Sequence, residues 1–294
     1  MSAILIDGTA VAAAIHEEVK HEVAQLKAKH GVIPGLATVL VGDNPASASY
    51  VKMKRKRSAE LGINSIGHEL PKTATQEEVE SLVRQLNADP QVHGILVQLP
   101  MPRHINEEAV LSAISLEKDV DGFHPVNIGR LAMKGREPLF VPCTPAGVIE
   151  LLKRYNIPMA GKEAVVLGRS NIVGLPVSML LLKGNATITI CHSQSQDLPA
   201  ICRRADILIA AVGQAEMVKA DWVKPGATVI DVGMNRVDDP ATEKGYRLVG
   251  DVDFESVKEV AGYLTPVPKG VGPMTIAMLL TNTVHAAKIQ SGLA

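Results

Sequence analysis

From Gly35 onward, short apolar runs alternate with stretches whose apolar positions recur every three or four residues. "GLATVLVG", "INSIGHEL" and "GILVQLP" read as strands, separated by the helical patterns of residues 47–61 and of "TQEEVESLVRQLNAD". That alternation is the rhythm of βαβ units on a parallel sheet. It is interrupted by the proline-rich "GREPLFVPCTPAGVIELLKRYNIP", which reads as a hinge running into a helix. Beyond it, "EAVVLG", "ATITICH", "DILIAAVG" and "ATVIDVG" read as four further strands, each closed by a turn signal and most followed by a helix. This is a Rossmann-like half or more. A last apolar helix, "MTIAMLLTNTVHAAK", follows "YLTPVPKGVGP", and its pattern lets it pack on either domain. The expectation is an α/β chain of two βαβ-type domains, without internal repeats or low-complexity segments.

Composition narrows the classes. With 294 residues, 46% of them hydrophobic and 21% charged, the chain can build two large cores. Its formal charge of −1 supplies no global field toward nucleic acid or an anionic membrane. Three cysteines without C-x-x-C spacing argue against a disulfide framework and a zinc site, and suit a reducing cytoplasm. The histidines are scattered without metal spacing, so no metal is expected. The start, "MSAILIDGTAVAAAIHEEV", lacks the basic region of a signal peptide, and no apolar run is long enough to span a membrane.

In "VVLGRSNIVGLP" a strand pattern ends at Gly168 and a helix follows, yet Ser170 stands where a G-x-G-x-x-G fingerprint has its second glycine, and Gly174 comes one residue late. A glycine turn alone is weak evidence, because strand-to-helix connections use glycine for backbone reasons. The context favours a nucleotide, since the helix start can hold phosphate and the next strand pattern ends about twenty residues on. At that second strand end an NAD site has Asp or Glu for the ribose, whereas this chain has His192 and Ser193. Arg169 offers a guanidinium to a 2'-phosphate, so the local chemistry favours NADP over NAD. The other reading makes Arg169 and Ser193 solvated loop residues.

Five of the six residues from 52 to 57 are basic. On a helical wheel, Lys52, Arg55 and Lys56 fall opposite Tyr50 and Leu61, while Lys54 and Arg57 fall beside them, flanked by Val51 and Met53. Arginine is a permanent cation, but a lysine among apolar groups has its charged form destabilised and can exchange a proton. Lys54 is therefore the candidate acid/base, unless it snorkels past Tyr50 to solvent. Gln98 stands near the carboxyl end of an otherwise apolar strand and Asp121 before a glycine turn, the places where open α/β sheets bind ligands. Gln98 can hydrogen-bond Lys54 or a substrate, and Asp121 can accept N–H donors from a heterocycle. Each also suits a purely structural turn or strand end.

Taken together, "SYVKMK", "VQLPMP", "KDVDGFHPVNIGRL", "PCTPAGV", "GRSNIVGLPVSMLL", "ADILIAAVGQ", "VIDVGMN", "GDVDF" and "TPVPKGVGPMTIAMLL" resemble the bifunctional methylenetetrahydrofolate dehydrogenase/cyclohydrolase family, over almost the whole chain. The resemblance implies a catalytic, folate-binding domain of residues 1–143 to which the C-terminal helix, 275–294, returns. It implies an NADP-binding Rossmann-like domain of residues 144–274, a cleft between the two, and a cytoplasmic homodimer. Tyr50 and Lys54 match the family's Tyr-x-x-x-Lys, the tyrosine stacking on the substrate and the lysine being catalytic. Gln98, between Val97 and Leu99, matches the glutamine that holds this lysine, and Asp121 the carboxylate that binds the pterin. Gly168, Arg169, Ser170, Ser193 and Met234 match cofactor positions, and residues 268 to 273, including Pro268, Gly272 and Pro273, match the loop over folate. The family's P-G-G-V-G-P appears here with Lys269 for the first glycine. Either the loop differs at that point or Lys269 reaches the glutamate tail of folate.

The implied activity is NADP-dependent oxidation of 5,10-methylenetetrahydrofolate followed by hydrolysis to 10-formyltetrahydrofolate. A monofunctional dehydrogenase would keep the NADP loop, and only Lys54 and Gln98 speak against it. A non-catalytic NADP- or folate-binding module would have no need of Lys54, Gln98 and Asp121 together.

Overall fold

The computed structural model describes residues 2–242 and 245–294. In chain order its elements are β1 (Ile4–Leu5), α1 (Gly8–His30), β2 (Gly35–Val41), α2 (Pro45–Glu60), β3 (Asn64–Leu70), α3 (Gln76–Ala88), β4 (Gly94–Val97), α4 (Glu107–Ser112), α5 (Pro125–Ala132) and α6 (Cys143–Arg154). They continue as β5 (Glu163–Leu167), α7 (Gly174–Lys183), β6 (Thr187–Cys191), α8 (Leu198–Cys202), β7 (Ile207–Ala210), β8 (Thr228–Asp231), β9 (Asn235–Asp238), β10 (Tyr246–Val249), α9 (Phe254–Val257), β11 (Tyr263–Leu264) and α10 (Val271–Gln290).

The chain divides into two compact units, one of residues 14–143 and 276–294, the other of residues 1–13 and 144–275. The first holds a parallel three-stranded sheet in the order β3-β2-β4. All seven residues of β2 are buried, which is why "GLATVLV" reads as a continuous apolar run rather than an alternating one. α3 starts at a capping box in which Thr75 and Glu78 satisfy each other's backbone N–H groups. Its Val79, Val83 and Leu86 pack with Ala37, Val39 and Ile95 of the sheet. C-terminal residues join this unit through α10, as the expected return of the last helix requires.

The second unit holds a six-stranded parallel sheet in the order β1-β11-β8-β7-β5-β6. Its core combines Val165, Leu167, Leu208, Ala210, Val229 and Leu264 from the strands with Cys202 of α8. The domain of residues 1–143 expected from the resemblance includes residues 1–13, but Ile4 and Leu5 pair with Tyr263 and Leu264 at the edge of this second sheet. A two-residue strand carries no periodicity of its own, and only its long-range pairing assigns it. Among the described residues, no helix is long and apolar enough to cross a membrane.

Candidate active site

In the first unit, chemistry-bearing residues collect at the carboxyl ends of β2 and β4. Gln98 directly follows β4, and its N–H donates to Val39 O at 2.9 Å, continuing the ladder. Its side chain spans two roles: Nε2 donates to Leu99 O at 2.7 Å, and Oε1 accepts from Lys54 Nζ at 3.0 Å. Val97 before it is buried and Leu99 after it half-buried. Lys54 comes from α2, the crossover between β2 and β3, and is only 6% exposed, so it does not snorkel to solvent. Tyr50 lies one turn earlier on the same face, half-buried, with its hydroxyl pKa raised by burial.

Lys52 and Lys56 are exposed, as the wheel expects, but the two arginines of α2 depart from it. Arg55, expected in water, lies over the sheet: Nε donates to the buried Thr38 Oγ1 at 2.8 Å and Nη1 to Glu69 at 2.6 Å. Gly67 makes the room, since a Cβ there would stand 2.5 Å from the guanidinium carbon. Arg57, expected beside Lys54, is exposed and pairs with Glu60 at 2.7 Å. A wheel fixes the direction of Cβ, while a long stem carries its charge elsewhere.

Asp121 sits in the turn between α4 and α5. Burial raises its carboxyl pKa, against the opposing charge of Lys54 and a hydrogen bond with the Cys143 thiol. That thiol, at the start of α6, also approaches Val120 O at 3.3 Å, and burial pushes its pKa well above the usual thiol range. The turn is tight: Gly122 has φ +79°, and a Cβ there would lie 2.5 Å from Pro142 N. Asp119 knits it together, accepting from Phe123 N, His124 N and Asn127 Nδ2, with a pKa raised to about 6 chiefly by burial. Asp119, Asn127, Cys143 and Asn282 escape a sequence reading, although the doubled acid of "KDVD" is a signal that two carboxylates share one turn.

In the second unit the glycine loop follows β5. Gly168 has φ +126°, and a Cβ would meet Ala211 O at 2.2 Å, while one on Gly174 would meet Gly168 O at 2.3 Å. Both glycines are therefore required for close backbone packing, which explains the late second glycine. Ser170 Oγ accepts from Val173 N at 3.2 Å and Gly174 N at 3.3 Å, and Ser170 O from Leu175 N at 3.0 Å. The first N–H groups of α7, expected to face phosphate, are thus taken by Ser170. Arg169, Ser170, Asn171 and Ile172 are exposed, as is Ser193 beyond the end of β6. Next to Ser193, His192 N donates to Ser195 Oγ at 3.0 Å, and no acid adjoins it in the chain. An exposed guanidinium and a hydroxyl without a carboxylate fit a 2'-phosphorylated dinucleotide.

Two buried acids brace the loops at the ends of β7 and β8. Asp251 accepts from Val212 N, Gly213 N and Gln214 N, and Asp231 from Gly233 N, Asp251 N and Val252 N. Burial, with the Asp251 charge adding to it, raises the Asp231 pKa to about 7. An acid whose folded pKa exceeds its unfolded one stabilises fully below the unfolded value, and that stability is lost as pH rises through the folded one. Wild-type stability relative to Asp231→Asn should therefore fall between about pH 4 and pH 7, as read by urea unfolding at each pH. A flat difference across that window would contradict the assignment.

Met234 is exposed, with its Cε 3.3 Å from where a Cβ of Gly272 would stand. Pro268 is exposed, Gly272 and Pro273 are half-buried, and all three belong with the second unit, unlike Tyr50, Lys54, Gln98 and Asp121. Lys269 keeps a glycine-like φ of +90°, with Lys269 O accepting from Thr9 N at 3.1 Å. The loop thus retains that conformation at a cost of about 1–2 kcal/mol. Among the described residues, no group of three or more His, Cys, Asp or Glu could hold a metal ion.

Comparison with known proteins places this geometry. Residues 6–121 match the catalytic domain of tetrahydrofolate dehydrogenase/cyclohydrolase, and residues 142–291 match its NAD(P)-binding domain. Bifunctional protein FolD 2 of Arabidopsis thaliana is 60% identical over 287 residues, covering 98% of this chain and 96% of that protein. Bifunctional protein FolD of Listeria innocua is 57% identical over 284 residues, covering 97% of each. Among solved structures, the Trypanosoma brucei methylenetetrahydrofolate dehydrogenase-cyclohydrolase, complexed with NADP cofactor and an inhibitor, has a TM-score of 0.96 at 46% identity and covers 100% of both chains. With both domain models matched and identity above one half over nearly its full length, the chain belongs to the tetrahydrofolate dehydrogenase/cyclohydrolase family.

Proposed function

We propose that this chain oxidises 5,10-methylenetetrahydrofolate with NADP and hydrolyses the resulting 5,10-methenyl compound to 10-formyltetrahydrofolate, with Lys54 carrying the proton of the second step. The observation that supports this most is the buried Lys54 amine held at 3.0 Å by Gln98 Oε1. NADP, when bound, supplies the acceptor for the hydride that leaves the one-carbon bridge. Arg169 and Ser193 bind its 2'-phosphate, the loop N–H groups from 170 to 172 meet its other phosphates, and Gly168, Ser170 and Met234 shape the site.

In hydrolysis, water adds to the methenyl carbon and gives a proton to the Lys54 amine. The bond from that carbon to N5 then breaks as Lys54 returns the proton to N5, and the remaining hydroxyl proton is released to solvent as the C=O forms, which balances the positive charge of the methenyl compound and leaves the formyl group on N10. Gln98 orients the amine, because its own amide is fixed by Leu99 O. Tyr50 stacks on the aminobenzoate, Val97 and Leu99 flank the ring, and Asp121 accepts two N–H donors of the pterin. Pro268, Gly272 and Pro273 complete the folate contacts on the strength of the resemblance, which also supports a homodimer. Three free cysteines support the cytoplasm as its compartment.

Asp121→Asn tests the pterin assignment. It should raise the folate KM about tenfold in both reactions, since a charge-assisted pair becomes a neutral one, and leave the NADP KM unchanged. A fall in NADP affinity with folate affinity intact would refute it.

A further inference from the structure

α10 is fastened twice to the segment that presents Asp121. Asn282 Nδ2 donates to Val120 O at 2.8 Å and to Val141 O at 3.2 Å, and stands 3.7 Å from Cys143 Sγ. Gln290, eight residues on and so on the same stripe of the helix, donates to His93 O at 2.7 Å and Glu117 O at 2.8 Å. The first contact matters for chemistry. Val120 O belongs to the peptide group whose nitrogen is that of Asp121, and the Cys143 thiol donates to the same oxygen at 3.3 Å. One amide therefore touches the peptide that carries Asp121, the chain segment opposite, and the thiol that shares the Val120 carbonyl with it.

The turn leaves little other freedom. Gly122 abuts Val141 and Pro142, so the turn cannot move toward that segment. Rotation of the peptide between Val120 and Asp121 is what remains, and it would swing the carboxylate. An amide donor bridging the two facing carbonyl oxygens removes that rotation. An apolar side chain would take this donor from both acceptors and leave Val120 O with only the weak thiol donor of Cys143.

We propose that Asn282 is a positioning residue for folate binding: by tying Val120 O to Val141 O and Cys143, it sets where the Asp121 carboxylate stands. This rests on the assignment of Asp121 to the pterin. It predicts that Asn282 acts on folate only through Asp121, which a merely structural tie between helix and loop would not do.

The test is a double-mutant cycle on the full-length chain, with Asn282→Leu, Asp121→Asn and the pair, measuring KM and kcat in both reactions. Asn282→Leu keeps the volume and removes the donor. It should raise the folate KM about tenfold in both reactions, as for one lost hydrogen bond with its acceptor left buried, with NADP KM and the dehydrogenase kcat within about twofold. In the Asp121→Asn background the same change should add less than about twofold. Asn282→Ser, which retains a donor, should recover part of the loss, and it takes the place of Asn282→Leu in the cycle if the latter does not fold. Unchanged folate KM in the Asn282 variants, or losses that multiply fully in the double variant, would overturn the inference while leaving Asp121 in place. An Asp121→Asn enzyme with wild-type folate KM would remove the pterin assignment itself, and the inference with it.

Discussion

Lys54→Gln should lower cyclohydrolase activity by about 10²-fold or more while sparing most of the dehydrogenase activity, the scale of losing a general acid/base. The two reactions differ in what they ask of the protein. Hydride transfer moves no proton at its transition state and depends on placement. Adding water to the methenyl carbon and opening the ring requires a group that takes a proton and gives it back. Lys54 has the position for that, 6% exposed and held by Gln98, and glutamine approximates its length without its basicity. Lys56→Gln and Arg57→Gln are the controls. Lys56 is exposed, and Arg57 is spent on a surface pair with Glu60, of the kind that contributes about 0–1 kcal/mol. Neither change should move either activity beyond about twofold. Full cyclohydrolase activity in Lys54→Gln would transfer the proton role elsewhere.

Arg169→Ala should weaken NADP binding by about 1.5–3 kcal/mol, or roughly ten- to 150-fold, and barely affect NAD. Its side chain is exposed on the loop between β5 and α7, whose conformation is held by Gly168, Gly174 and the Ser170 cap rather than by the guanidinium. Removing it should therefore leave the loop standing and delete only a charge-assisted contact to the 2'-phosphate. Titration of both cofactors into wild type and variant reads this directly. Equal losses for NADP and NAD would make Arg169 a structural residue, and equal use of the two by the wild type would remove the preference altogether.

The sequence discloses strands best where both faces are covered. β2, β4, β7 and β8 are buried at every position; β4 and β7 appear as uninterrupted apolar runs, β2 as one interrupted by Thr38, and β8 as one bounded by Thr228 and Asp231. In the hairpin of β9 and β10, β9 alternates half-buried and exposed residues while β10 has two exposed residues in a row, and four positions per strand are too few to stand out. β1 is invisible because two residues carry no periodicity. In the site, the residues legible beforehand are those whose side-chain type alone implies chemistry, as with Lys54, Gln98 and Asp121. Those that were not legible work through backbone groups brought together by folding. Asn282 is 162 positions from the Val120 carbonyl it holds, and no local pattern encodes that meeting. Arg55 shows the converse limit, since a basic residue read as solvated satisfies the buried Thr38 hydroxyl because Gly67 leaves space for it.

The most direct test of two activities in one chain is to give a single preparation each substrate in turn. With 5,10-methylenetetrahydrofolate and NADP, reduced cofactor should form. With purified 5,10-methenyltetrahydrofolate and no cofactor, the methenyl absorbance should decay faster than in buffer, and Lys54→Gln should return that decay close to the buffer rate. Reduction of NADP accompanied by methenyl decay no faster than in buffer would contradict the account and leave a dehydrogenase alone.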